Sequence, residues 1–485
     1  MSERVRKPVT FRHAILPILF LGVIILYGLI VRPLFLDEEA LALEVIFIAA
    51  SFFSVSQLFY LGLGWEEIQE SIVKKISTAL PAFFILFAIG VIISSWMISG
   101  TIPMLVYYGL EIISPRYLYL LSFLIPIVFS SLTGTSWGSA GTIGVVLIGI
   151  AGVLGADLGI TAGAVIGGAY FGDKMSPLSD TTNLAALATD VDLFDHIRSM
   201  MVTTVPSAVI ASVGFTILGF TNGPQSLTTE FPSLTPFLDS LHSLFSFNIL
   251  LLVPPLIVLV GSLKKKPTIP TLLTSVISAC VLALIFQPYT LGDISTALAN
   301  GFDASMATWA TTLPDQTVEL VNRGGLYSMS QAIFVAFLVF FFIGSIDTIN
   351  AMPTVVDRVF RFAKTRSSTI LSALGATAVT NAMTSNQYAT SFIIGDAFKS
   401  RFDSLRIPRK VLSRSLEDTG TMIESIIPWT STAIFMVATL GVPWADYWHW
   451  QLMTLANLII APTVAILGIG CFYHEVDVEE SIEAD

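Results

Sequence analysis

Phe171-Gly172-Asp173-Lys174-Met175-Ser176-Pro177-Leu178-Ser179-Asp180-Thr181-Thr182-Asn183 lies in the middle of an apolar run, 158–189, that is long enough to cross a bilayer. Two carboxylates and a lysine at that depth each cost at least about 2.5 kcal/mol, so they mark a functional position. Pro177 removes a backbone donor and breaks the helix ladder, which frees carbonyls over 176–180 to point at an ion. The hydroxyls of Ser179, Thr181 and Thr182 and the amide oxygen of Asn183 add hard oxygen ligands, which suit a hard cation. No sulfur or imidazole is offered, which disfavours a transition metal. The plainer alternative is a kinked helix in which Asp173 and Lys174 neutralise each other. Neighbours on a helix point about 100° apart, and that pairing leaves Asp180 unexplained.

The rest of the chain has the same character. Of 485 residues 54% are hydrophobic and 12% charged, and mean hydropathy is +0.79. A soluble chain this poor in charge could not cover its surface, so the class is an all-α polytopic membrane protein. The net charge of −11 has the wrong sign for nucleic acid. Cys280 and Cys471 sit in apolar runs and suggest neither a disulfide nor a metal site. No phosphate-binding loop of the GxxxxGK[ST] type is present, so ATP hydrolysis is not expected.

Apolar runs and basic segments together give a map. A basic N-terminal segment, 1–13, precedes crossings at 14–35, 41–61, 79–99, 199–221, 246–262, 270–290, 328–346 and 448–472, with an amphipathic cytoplasmic piece at 65–75. Lys264, Lys265 and Lys266, the connector with Arg358, Arg361, Lys364 and Arg366, and the segment 399–414 fall inside, as do both termini and the acidic tail 473–485. This works only if the uncharged stretches each enter and leave on one side. The expectation is therefore two re-entrant hairpins, 117–156 and 367–398, and two broken helices, 158–189 and 415–441, among about ten full crossings. Two complete helices in each stretch would preserve the topology too.

The hairpins carry polar centres, Thr133-Gly134-Thr135-Ser136-Trp137-Gly138-Ser139 and Thr384-Ser385-Asn386-Gln387-Tyr388-Ala389-Thr390, which align at an offset of 251. The same offset pairs Pro177 with Pro428 and Asp173 with Glu424. In the map each element runs opposite to its partner, which makes 14–221 and 246–472 an inverted-topology repeat joined by an extracellular linker, 222–245. Such folds converge hairpin tips and helix breaks at mid-membrane. Candidate ligands from the tips are Thr135, Ser136, Thr384, Ser385 and Asn386. Glu424 lies about one turn before Pro428, while Glu417 and Asp418 either join the site or pair with Arg414 near the interface. Gly155, Gly159, Gly163 and Gly167, with Gly168 and Gly172 on a second face, form a ladder for close helix packing.

The strings Gly134–Gly138, Gly172–Asn183, Glu417-Asp418-Thr419-Gly420-Thr421 and Ile427-Pro428-Trp429 resemble the NhaC-type sodium/proton antiporters over nearly the whole chain. The resemblance implies a secondary transporter of the cell membrane, not an enzyme, with two hairpins and two broken helices, in a group whose members are often dimers. The group includes exchangers of organic acids such as malate/lactate antiporters. The expected activity is Na+/H+ antiport, with Na+ and H+ competing at Asp173 and Asp180 and Lys174 tuning them, and with no cofactor beyond the transported ions. Burial disfavours a charged carboxylate, which lets it hold a proton until sodium displaces it. An organic-acid exchanger coupled to Na+ or H+ is the rival, and a membrane enzyme or scaffold is a remote one.

Overall fold

The computed structural model describes residues 6–223, 234–310, 312–359 and 364–473. The basic start up to Val5, residues 224–233 of the expected extracellular linker, Arg361 and the acidic tail from 474 onward lie outside the described residues. Those described form helices and no strand. Eight helices are long and apolar enough to cross a membrane, or ten if two bent pairs are each one span. The bent pairs are Thr235–Leu244 with Ile249–Leu263, turning by 92°, and Trp444–Trp450 with Leu452–Leu467, turning by 50°.

The first crossing, Phe11–Ile25, continues through a π-helical turn, Leu26–Val31. Leu43–Tyr60 returns. The amphipathic piece and the crossing that follows it are a single helix, Trp65–Ile98, of 34 residues. Ser77 and Thr78 look like a linker in sequence, but their hydroxyls donate back to the carbonyls of Lys74 (2.6 Å) and Lys75 (2.7 Å), which satisfies them within the helix. The polar segment 291–326 is structured as well. Leu291–Asn300 is opened by Thr290 and Asp293 in a reciprocal capping box, and Asp315–Val321 follows.

Both hairpins form. The first has arms Leu118–Thr133 and Ser136–Val153, the latter with a π-helical turn at Ala140–Gly144, and turns at Gly134 in the left-handed region (φ 70°). The second has arms Arg366–Thr384 and Gln387–Ser404 and turns at Ser385 (φ 48°). The basic segment 399–414 is mostly helical, because the second arm runs on to Ser404 and the second broken helix starts at Arg409. At its surface Arg409 pairs with Asp190 (2.9 Å) and Asp403 (2.8 Å), and Lys399 with Asp190 (3.3 Å).

The glycine-rich helix Leu158–Met175 packs tightly on both faces. A Cβ on Gly159 would lie 2.3 Å from the Asp446 carbonyl oxygen and one on Gly163 2.6 Å from Trp450. On the other face, a Cβ on Gly168 would lie 2.1 Å from the Phe123 carbonyl oxygen and one on Gly172 2.3 Å from the Ser131 amide nitrogen, both on the first hairpin arm. Gly155 does not belong to this ladder. It is a left-handed residue (φ 63°) between helices, with open space around it. The hairpin is thus locked against the helix whose break it faces.

Gly168→Ala and Gly172→Ala are expected to lose about 1–3 kcal/mol through overpacking. Gly152→Ala, where a Cβ meets nothing within 4 Å, should melt with the wild type. Thermal unfolding of the detergent-purified protein checks this, and a wild-type melting temperature for Gly168→Ala would contradict the close approach.

Candidate functional site

The helix Leu158–Met175 stops where Ser176 takes an extended backbone (ψ 128°), and Asp180–Ala188 restarts it with Ser179 as cap, accepting from the Thr182 amide. The break leaves Asp173 half a turn inside the end of the first piece. Its Oδ2 accepts from the Ser136 hydroxyl (2.6 Å) and amide (3.2 Å) at the tip of the first hairpin, and its Oδ1 accepts from the Ser179 hydroxyl (2.6 Å). Ser179 Oγ also lies 3.0 Å from Thr181 Oγ1. Asp173 is 7% exposed. Three donors from two elements therefore converge on one buried carboxylate.

The carbonyls freed by Pro177 are less available than the sequence suggests. The Asn183 side-chain amide donates to the Pro177 (3.0 Å) and Ser179 (2.7 Å) carbonyls, and the Thr182 hydroxyl sits on those of Asp173 (3.0 Å) and Lys174 (3.1 Å). Two carbonyl acceptors fix the NH2 of Asn183 toward the break, so its amide oxygen is turned away from it. Asn183 and Thr182 mend the broken ladder.

The second break is built similarly. Arg409–Thr419 ends in a tight turn, Thr421–Ile423, and Ser431–Leu440 restarts the helix with Thr430 as cap, Pro428 lying between. Glu424 accepts from the Thr432 hydroxyl (2.7 Å) and the Asn381 amide (3.2 Å), and the Thr430 hydroxyl bonds its carbonyl. Ser385, at the second hairpin tip, accepts from the Ser431 amide (2.7 Å) and holds the tip to the restarted helix.

A cavity of about 730 Å³ joins these elements. Thr135, Ser136, Asp173, Asp180, Thr181 and Asn183 line it from the first half, and Ser385, Asn386 and Glu424 from the second. Asp180 is exposed to it in the first turn of its helix. The cavity reaches Lys265 and Lys266 at one end. Ser179, Thr182, Thr384 and Pro428 stand behind the wall, and Thr384 is spent on Thr390 (2.9 Å) inside the second hairpin. A second cavity, of about 820 Å³, lies among Asp293, Asp303, Arg323 and Leu440. Ile89 lines the first cavity and Ile93, one turn on, lines the second, while the stacked rings of Trp137 and Phe435 (4.2 Å between centroids) pack the end of the first cavity.

Lys174 is not between the two aspartates. Its ammonium reaches Asp418 Oδ1 at 2.6 Å, fully buried, and Asp418 also accepts from Thr203 (2.8 Å) and Asn457 (3.4 Å). Arg414 is 2% exposed, stands 3.8 Å from Asp418, and donates to the Gly470 carbonyl (2.8 Å). Arg414, Glu417 and Asp418 are therefore buried inside the protein, with Asp418 paired to Arg414 as well as to Lys174, because the helix carrying them is covered by several neighbours. Asn381, Thr432 and Tyr170, whose ring lines the cavity, also escape a sequence reading. An asparagine amid small residues one turn before the Thr384 tip was the one available signal.

The signature of the Na+/H+ antiporter family matches residues 168–469, which include both helix breaks. A protein named as an uncharacterized Na(+)/H(+) antiporter from Haemophilus influenzae is 36% identical over 97% of this chain and 98% of its own length. The Na(+)/H(+) antiporter NhaC of Alkalihalophilus pseudofirmus is 36% identical over 85% of this chain and 87% of its own. A malate-2H(+)/Na(+)-lactate antiporter of Bacillus subtilis is 31% identical over 97% of each. With its apolar crossings, its two interrupted helices and these matches, the protein belongs to the Na+/H+ antiporter family and is a multi-span membrane antiporter.

Proposed function

We propose that the chain exchanges Na+ for H+ at one mid-membrane site, with Asp173 and Asp180 as the exchanging acids. The observation that carries this reading is Asp173, buried where a hairpin tip meets a helix break and lining a cavity that opens at one end. A cation there favours the charged carboxylate and displaces its proton. Asp180 faces the same cavity from a helix N-terminus, where a negative charge is favoured. Oxygens of Thr135, Ser136 and Thr181 complete a hard-ligand set. Buried acids Asp173, Glu417, Asp418 and Glu424 outnumber buried Lys174, Lys410 and Arg414, a balance that suits a cation.

Alternating access needs two related halves. Left-handed residues recur at 134 and 385, 155 and 406, 190 and 441, and helices begin at 136 and 387, 158 and 409, 180 and 431, 193 and 444. Every pair shares the 251 offset, which supports 14–221 and 246–472 as repeats in opposite orientation. The lysine cluster at the cavity mouth supports a site open to the cytoplasm.

A second reading, exchange of small organic acids, draws on the cavity volume, which far exceeds a bare cation, and on the relative named for malate and lactate. Purified protein in liposomes, driven by a sodium gradient with no organic solute, separates the two. Proton flux is expected. Flux that requires malate or lactate would establish the organic-acid reading instead.

Asp173→Asn and Asp180→Asn are each expected to cut sodium-driven proton flux by at least about tenfold to a hundredfold, the weight of one charge-assisted interaction, without changing expression. For Asp173→Asn the introduced NH2 also faces donors at both ends. Dye-quenching assays in vesicles measure this, and wild-type flux in either variant would remove that acid from the site.

In a background lacking Cys280 and Cys471, Asn386→Cys should react with membrane-impermeant thiol reagents from the side of Lys265 and Lys266, and Thr439→Cys, in the second cavity, from the opposite side. Labelling of both from one side would contradict the arrangement.

A further inference from the structure

We infer that Glu417 is a second proton-carrying residue of the exchange, loading and unloading its proton through the Thr421 hydroxyl while Asp173 takes the sodium. The inference rests on the exchange reading above. Glu417 is 0% exposed, and neither of its carboxyl oxygens has a hydrogen-bond partner among the described residues. In this it is the opposite of Asp173, which receives three donors, and of Glu424, which receives two. An ionised carboxylate without a donor, away from water, carries a large uncompensated cost, and a proton removes it.

The surroundings make the ionised form attainable too. Next to Glu417 in sequence, Asp418 is shared by two buried cations, Lys174 and Arg414, so the cluster has one more positive charge than negative. Ionising Glu417 would balance it. The residue therefore stands between two states, neutral without a donor or charged against a spare cation, and a sodium ion arriving nearby tips it toward the charged one.

Other ionisable groups face it from the packed elements. They are Asp173 and Lys174 on the glycine-rich helix, Tyr388 on the second hairpin and Glu424 after the turn, while Asp180 at the start of 180–188 and His196 on the helix Leu193–Thr221 stand on the other elements packed against Arg409–Thr419. The arms Arg366–Thr384 and Leu452–Leu467 carry no ionisable side chain beyond Arg366 at the far end of the first.

The route is offered by Thr421, which lies one turn along from Glu417, closes no hydrogen bond among the described residues, and lines the ion cavity. Its hydroxyl can accept the Glu417 proton on oxygen and pass its own to water in the cavity, which leaves every bond count unchanged. Each sodium bound at Asp173 would then release one proton from Asp173 and one from Glu417.

The test is proton release on adding NaCl to the purified protein in weakly buffered detergent with a pH indicator, with sodium binding measured in parallel by calorimetry. Wild type should release about two protons per sodium and Glu417→Gln about one, with a sodium affinity that rises less steeply with pH and a pH dependence of exchange changed from two titrating groups toward one. Thr421→Val, which leaves Glu417 in place, should slow the second release and spare the first, and it decides the matter if Glu417→Gln does not fold. Unchanged stoichiometry in Glu417→Gln, or unchanged release kinetics in Thr421→Val, overturns the inference. Asp173→Asn separates the two levels, because loss of sodium binding there with intact exchange chemistry in Glu417→Gln leaves only the exchange reading standing. A wild type that binds no sodium, or releases no proton with it, defeats the exchange reading and Glu417 with it.

Discussion

A helix interrupted inside a membrane has amides and carbonyls that water cannot satisfy, and the whole centre of this protein is arranged around that constraint. Four restarts occur there, and each is capped by the same device. Thr135, Ser179, Asn386 and Thr430 accept from the amides of Gly138, Thr182, Ala389 and Ala433, each three residues on. On the carbonyl side, Asn183 and Thr182 cover the first break and Thr430 part of the second. The hydroxyl-rich composition of these runs is therefore first a structural requirement. Ser179, which caps one restart, also donates to Asp173, and Asn381, which covers the Gly420 carbonyl, also donates to Glu424, so the buried acids and the helix breaks share side chains.

That sharing explains which parts of the site are legible in the sequence. Asp173, Asp180 and Pro177 stand out because charge and a missing donor inside an apolar run have no ordinary role. The 251 offset is legible because polar tips and breaks recur in order, and the left-handed turns at Gly134 and Ser385 fall on it. What cannot be separated from one sequence is a capping hydroxyl from a ligand hydroxyl. Thr182, Asn183 and Thr384 carry the residue types of a hard-cation site and are spent on backbone carbonyls or on a neighbouring hydroxyl.

Long-range pairing is the other hidden part. Lys174 finds its partner 244 residues away, and nothing local to either residue indicates it. Arg414 reads as one more charge in a basic connector, because its burial depends on helices that arrive from 193–221 and 452–467. The long helix Trp65–Ile98 is misjudged for a local reason, since Ser77 and Thr78 satisfy themselves within the turn and leave no break.

The Lys174–Asp418 pair has a mechanical consequence. It ties the glycine-rich helix to the helix Arg409–Thr419, one from each half, and parting them would strand buried charges at a cost of about 3–5 kcal/mol. The two interrupted helices are thus riveted together at their centre. Movement within the bundle is therefore cheapest when this riveted core travels as one body against the surrounding crossings, with the sliding done at its perimeter.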